Sequence, residues 1–133
     1  AKHKDRAGST IAAAMLDDPG SPPVAPHVVR LAEDASRYMR EHLAENVDLS
    51  SLSGVLAVSP DYLGRVFKRH MGTTPHQFLI DLRLEAAEGL LAETNLTVTQ
   101  IAWRVGFASP SHFVTTFRAR MGTTPLEFRR RVR

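Results

Sequence analysis

The 133-residue chain contains no cysteine. That removes disulfides, thiolate metal sites and thiol nucleophiles together, and it fits a reducing compartment. Aromatic residues make up only 7%, with a single tryptophan. No stretch approaches the roughly 18 apolar residues that a membrane span requires, and no secretory leader is recognisable, so a soluble cytoplasmic protein is expected. The histidines stand at 3, 27, 42, 70, 76 and 112, without the H-x-x-x-H spacing or cysteine partners of a zinc site. There is no G-x-S-x-G elbow and no glycine-rich phosphate loop. No catalytic residue, metal or cofactor is therefore expected. No segment alternates apolar and polar residues as a strand would, which leaves an all-α fold.

What is present is a segment written twice, fifty residues apart. Ser59-Pro60-Asp61-Tyr62-Leu63-Gly64-Arg65-Val66-Phe67-Lys68-Arg69-His70-Met71-Gly72-Thr73-Thr74-Pro75 returns as Ser109-Pro110-Ser111-His112-Phe113-Val114-Thr115-Thr116-Phe117-Arg118-Ala119-Arg120-Met121-Gly122-Thr123-Thr124-Pro125. Such a repeat means two copies of one small structure. Charge is distributed unevenly over it. Residues 1–60 carry 6 Lys/Arg against 8 Asp/Glu, whereas residues 61–133 carry 11 against 6. The repeat-bearing part is basic, as a polyanion-binding surface would be.

Residues 1–26 read as a linker or disordered tail, dense in helix breakers at Asp17-Asp18-Pro19-Gly20-Ser21-Pro22-Pro23. Such an opening suggests a domain that continues a longer protein. Helical periodicity begins near His27, with Val28, Leu31, Ala35, Tyr38, Met39 and His42 or Leu43 on one stripe. Asp48 can cap a short helix from Leu49 to Ala57 with Leu49, Leu52 and Leu56 inward. Ser59 and Pro60 open a helix that runs to about His70 and ends at Gly72. Thr74-Pro75-His76-Gln77 is a capping box opening a long helix to about Glu93, with Phe78, Leu79, Leu82, Leu84, Ala87 and Leu91 apolar. The cycle repeats from Thr97 and Gln100, through Ser109-Pro110, to Thr124-Pro125-Leu126-Glu127 and the basic Arg129-Arg130-Arg131. About seven helices result. The organisation expected is two helix-turn-helix subdomains, 27–74 and 94–133, joined by a long linking helix, 75–93.

Leu52, Leu56, Val58, Leu63, Val66 and Phe67 would hold the first pair of helices together, and Ile101, Val105, Phe107, Phe113, Thr116 and Phe117 the second. Ser53 and Ala102 are small where the helices approach. Leu52 to Leu63 spans 11 residues and Ile101 to Phe113 spans 12, so the second turn holds one more residue, near Ala108. Opposite the apolar face, Asp61, Gly64, Arg65 and Lys68 share one outer stripe, matched by Ser111, Val114, Thr115 and Arg118. A recognition helix sets its early residues on base edges and its later cations near phosphate. Arg65 can form a bidentate pair with guanine, Ser111 and Thr115 can bond to bases less selectively, and Val114 can touch a thymine methyl. Lys68, Arg69, Arg104, Arg118 and Arg120 suit phosphate. The linking helix, about 19 residues and roughly 28 Å, is comparable with one turn of DNA, roughly 34 Å. Trp103 is expected to pack over that helix, with an indole–phosphate bond as the alternative.

These residues resemble the C-terminal DNA-binding domain of the AraC/XylS family of bacterial transcription regulators, from about Val28 to Arg131. The most specific stretch is Thr97-Val98-Thr99-Gln100-Ile101-Ala102-Trp103-Arg104-Val105-Gly106-Phe107, followed by Ser111-His112-Phe113, Phe117-Arg118 and Met121-Gly122-Thr123-Thr124-Pro125-Leu126-Glu127-Phe128-Arg129. The resemblance implies that Asp61, Gly64 and Arg65 occupy the first helix's base-contacting positions, and Ser111, His112 and Thr115 those of the second. Gly64 stands where the family often carries a longer polar side chain, so direct readout by the first helix rests on Arg65. Asp61 would repel phosphate; it can serve a cytosine amino group or, more simply, the helix N-terminus. His112 matches Tyr62 and suits a semi-buried or DNA-flanking place. The resemblance implies a double-stranded DNA operator and a separate N-terminal sensor or dimerisation domain. A cytoplasmic place on the nucleoid, no membrane, and RNA polymerase as a further contact that the acidic residues 33–48 could face are also expected. A helical protein-interaction or architectural module is the competing reading, with the acidic residues Glu33, Asp34, Glu41, Glu45 and Asp48 as its contact surface.

Overall fold

The computed structural model of the protein describes residues 25–133, and the linker expected over 1–26 falls almost wholly outside them. Seven helices and no strand are found among the described residues: α1 Pro26–Glu41, α2 Leu49–Val55, α3 Pro60–Met71, α4 Pro75–Glu93, α5 Val98–Arg104, α6 Pro110–Met121 and α7 Pro125–Val132. Their starts are set chemically. Asp48, Ser59, Thr97, Ser109 and Thr124 each accept a hydrogen bond from the backbone N–H three residues on, satisfying one donor that a helix start leaves open. At Thr97 and Thr124 the bond is reciprocated by Gln100 and Glu127, forming complete capping boxes. These bonds hold the Asp48 and Glu127 carboxyls below their ordinary values. Gly72 and Gly122 close α3 and α6 in the left-handed region, at φ 76° and 77°.

The chain divides into two units. Among the described residues the first comprises 25–42 and 47–79, the second 43–46 and 80–133. In the first, Ala32, Ala35, Met39, Leu52, Leu63, Phe67, Phe78 and Leu79 are buried, with Phe67 set edge-on to Phe78 at 5.3 Å. The buried stripe of α1 is Ala32, Ala35, Ser36 and Met39, rotated from the expected one; Val28, Leu31 and Tyr38 lie at its half-buried margin. Leu49, expected inward, is exposed, because only Leu52 and Ser53 of the short α2 are buried. The second unit packs Ile80, Leu84, Ala87 and Leu91 of α4 against Ile101, Val105, Phe107, Phe113 and Phe117. Three of these rings form a chain, Phe107 to Phe113 at 5.2 Å and Phe113 to Phe117 at 5.7 Å, extended to Phe128 at 5.7 Å.

Both tight turns use one device. The N–H of Val58 donates to Ser53 C=O, and that of Ala57 to Gly54 C=O; Phe107 donates to Ala102 and Gly106 to Trp103 in the same pattern. This is the Schellman ending, in which the residue after the cap must be left-handed. That residue is Ala57 at φ 58° in the first unit and Gly106 at φ 99° in the second. The left-handed turn ends α2 at Val55, two residues earlier than the expected Ala57. Because the two turns match through Val58 and Phe107, the second unit's additional residue is Ala108, lying between Phe107 and the Ser109 cap.

Arginines tie the second unit to its loops. Arg83 of α4 is buried and donates from Nε to Leu43 C=O at 3.0 Å and from a terminal nitrogen to Glu45 C=O at 2.9 Å. Its burial lowers the guanidinium pKa from the ordinary value. Arg129 likewise donates to the carbonyls of Leu91 and Thr94, and Arg133 to Thr94 C=O and Asn95 Oδ1. Arg83 and Arg133 stand fifty residues apart, and Glu45 and Thr94 each lie three residues before an N-cap. The duplication therefore extends beyond the paired helices to a trailing arginine that satisfies loop carbonyls.

Candidate nucleic-acid interface

The N-caps Ser59 and Ser109 and the terminal glycines give α3 and α6 the same length, and their inner anchors fix which way each helix faces. On α3, Leu63, Val66 and Phe67 are buried, while Asp61, Arg65, Lys68 and Arg69 are exposed. Gly64 is half-buried; a Cβ placed there would stand 3.7 Å from Leu49 Cδ2, an ordinary contact. A shallow surface depression is lined by Arg65, Val66, Lys68 and Arg69. His70 is buried at the end of this helix, and burial, with Arg69 beside it, pushes its imidazole below the usual value. That shift favours the neutral imidazole.

On α6, Phe113 and Phe117 are buried, while Ser111, His112, Thr115 and Arg118 are exposed. His112 meets the edge of Phe107 at 5.4 Å, which fixes its ring at the helix start without burying it. Val114 is half-buried against the core of the second unit, so only part of its side chain faces outward.

Two cations of the candidate interface have acidic partners. Arg65 Nε donates to Asp61 Oδ2 at 3.2 Å, with its guanidinium carbon 5.9 Å from the Tyr62 ring. Arg120, assigned to phosphate from sequence, forms an ion pair with Asp81 of α4. The Asp61–Arg65 pair carries a readable i, i+4 signal; Arg120 and Asp81 are 39 residues apart, and only the fold brings them together. Arg104 is exposed beside Trp103 on α5. Trp103 does not pack over α4 as expected: it is 54% exposed, because Ile101, Ala102 and Val105 already fill the inner face of α5. Among the described residues, no three His, Cys, Asp or Glu side chains group as a metal site, and no helix is long and apolar enough to cross a membrane.

Two helix-turn-helix units, each presenting a polar and cationic stripe on its second helix, define a double helix-turn-helix protein. A family model described as a helix-turn-helix domain matches residues 52–131. The HTH-type transcriptional activator RhaS of Enterobacter sp. (strain 638) is 39% identical over 92 residues, 69% of this chain and 33% of that protein. Among solved structures, the C-terminal domain of AraT, a response regulator from Geobacillus stearothermophilus, is similar with a TM-score of 0.74 and 33% identity, over 82% of this chain and 88% of that one. The DNA-binding domain of AdpA, a global transcriptional factor solved in complex with a target DNA, is similar with a TM-score of 0.71 and 31% identity, over 74% of this chain and 88% of that one. The chain belongs to the AraC/XylS family of helix-turn-helix transcription regulators. It spans about a third of the length of the curated relatives it matches (33% and 35% of the first two).

Proposed function

We propose that the chain is the sequence-specific, double-stranded DNA-binding part of a bacterial transcription regulator, with α3 and α6 entering successive major grooves. The observation that carries this reading is the matched pair of exposed stripes: equivalent helices, held by equivalent caps, turn polar and cationic rather than apolar side chains outward. The complex of the similar AdpA domain with its target DNA supports it. Arg65 reads guanine through a bidentate pair, and Asp61 and Gly64 share its stripe. Ser111, His112, Val114 and Thr115 provide the second base-facing set. Lys68, Arg69, Arg104 and Arg118 face phosphate, with Arg120 contributing once it exchanges Asp81 for DNA. The first reader spans 27–74, the linking helix 75–93 and the second reader 94–133. Catalysis has no part in this function. A cytoplasmic site of action on the nucleoid, RNA polymerase as a contact, and cooperation with a sensor or dimerisation domain complete the proposal.

The test is selection of random duplexes by the purified chain at two salt concentrations. A bipartite motif with elements about one helical turn apart, and binding that weakens steeply as salt rises, is the expected result. Within that motif, Arg65→Ala removes preference at one base pair, about 1–3 kcal/mol, whereas Lys68→Ala weakens every duplex alike and reduces the salt slope by about 1. No enrichment at either salt would leave the protein-interaction reading in its place.

A further inference from the structure

A carboxylate on a helix meant to face a polyanion needs a reason. Asp61 is on the exposed stripe of α3, its side chain 85% exposed, where it would repel every phosphate that approaches. The scaffold does not require it. In the second unit the same positions hold Ser111 and Thr115, and α6 is capped and ended just as α3 is. Stabilisation of the helix start is therefore met without an acid there, and neither residue of the Asp61–Arg65 pair is part of the shared plan.

We infer that Asp61 is a positioning and specificity-determining residue that acts through Arg65. Its Oδ2 accepts from Arg65 Nε at 3.2 Å, which engages one edge of the guanidinium and leaves the two terminal nitrogens as the edge that can meet guanine O6 and N7. The Tyr62 ring lies 5.9 Å from the guanidinium carbon. Lys68 and Arg69, one turn further on, have no acidic partner among the described residues and remain suited to phosphate. Arginine has many rotamers, and one already held loses less freedom on binding. The same carboxylate penalises complexes in which Arg65 is not opposite guanine, because there Asp61 is brought near phosphate with nothing gained. Attraction and rejection together set specificity.

This inference rests on the reading that α3 enters the major groove, and the experiment separates the two. Base preferences of the full chain are measured on the selected duplex and on its single-base variants, for the wild type, Arg65→Ala, Asp61→Ala, Asp61→Asn and Asp61→Glu, with thermal melting of each protein. Arg65→Ala identifies the base pair that Arg65 reads. Asp61→Ala and Asp61→Asn are expected to reduce guanine preference at that same base pair by about three- to tenfold. They should also bind non-specific duplexes more tightly and with a steeper salt dependence, while Asp61→Glu regains part of the preference. If the Asp61 variants lose preference at a different base pair, Asp61 reads a base itself and the inference is overturned. It is equally overturned if they lower the melting temperature and leave preference intact, since Asp61 then serves only the helix. If Arg65→Ala changes no preference, the reading of α3 falls, and this inference with it.

Discussion

In the first helix-turn-helix the left-handed turn residue is Ala57; in the second it is Gly106. The hydrogen bonds around them are the same, but the surroundings are not. A Cβ added at Gly106 would lie 2.8 Å from Leu43 C=O, 2.9 Å from Arg83 Nε and 3.0 Å from Ala44 Cα, so the glycine is demanded by close approach as well as by its φ of 99°. Ala57 is exposed, and its methyl group is tolerated at the cost of a left-handed alanine. One turn is thus specified by packing and the other by the hydrogen-bond pattern alone. The recognition helices differ in a parallel way: α3 carries a preset ion pair, whereas α6 carries neutral hydroxyls and an imidazole.

Substitution tests this contrast, the largest effect first. Gly106→Ala should destabilise the protein by about 3 kcal/mol, combining a strained backbone with overpacking against the 43–46 loop. Thermal or denaturant melting measures it, and a cost no greater than that of a surface change would show the loop is not held as described. Arg83→Ala should cost about 2–3 kcal/mol, because two carbonyls lose a charged donor. Arg83→Lys should recover little, since an ammonium cannot form the fork that reaches both Leu43 and Glu45. Recovery by lysine would mean that charge rather than geometry is what matters there. Ala57→Gly should raise stability by about 0.5–1 kcal/mol, the left-handed strain outweighing the added freedom of the unfolded chain. A loss of stability would mean that the first turn, too, is set by its side-chain contacts.

Much of the fold is readable because its signals are local. Asp48, Ser59, Thr97, Ser109 and Thr124 announce helix starts within three residues, and Phe78, Leu79, Leu82, Leu84, Ala87 and Leu91 of α4 follow from apolar spacing, whereas Ile80, also buried, does not. What is not readable depends on partners distant in sequence. Arg83 looks like a solvated charge on a helix until the 43–46 loop folds against it, and the Arg120–Asp81 pair requires the second unit to be assembled. Leu49 and Trp103 differ from expectation for a related reason. Periodicity and size say that a side chain can be buried, but a helix of 7 residues has room inside for only a few. Of the candidate interface, the two stripes and their outward direction were legible. Asp61 carries several local readings, a base-facing position, a helix-start charge and an i, i+4 partner for Arg65, and the structure shows the last of these formed.

The arginine devices at Arg83 and Arg133 cast α4 in two roles: it trails the first helix-turn-helix and leads the second. The repeating unit is then fifty residues long, shorter than a leading helix, a reader and a trailing helix written out separately. A lineage can lengthen such a protein by copying a segment that begins and ends within one kind of helix, without inventing a new connection. The corresponding restriction falls on α4. Phe78 and Leu79 answer to one core and Ile80, Leu84, Ala87 and Leu91 to the other. Of all the helices it should be the slowest to drift, even though no base-facing residue lies on it.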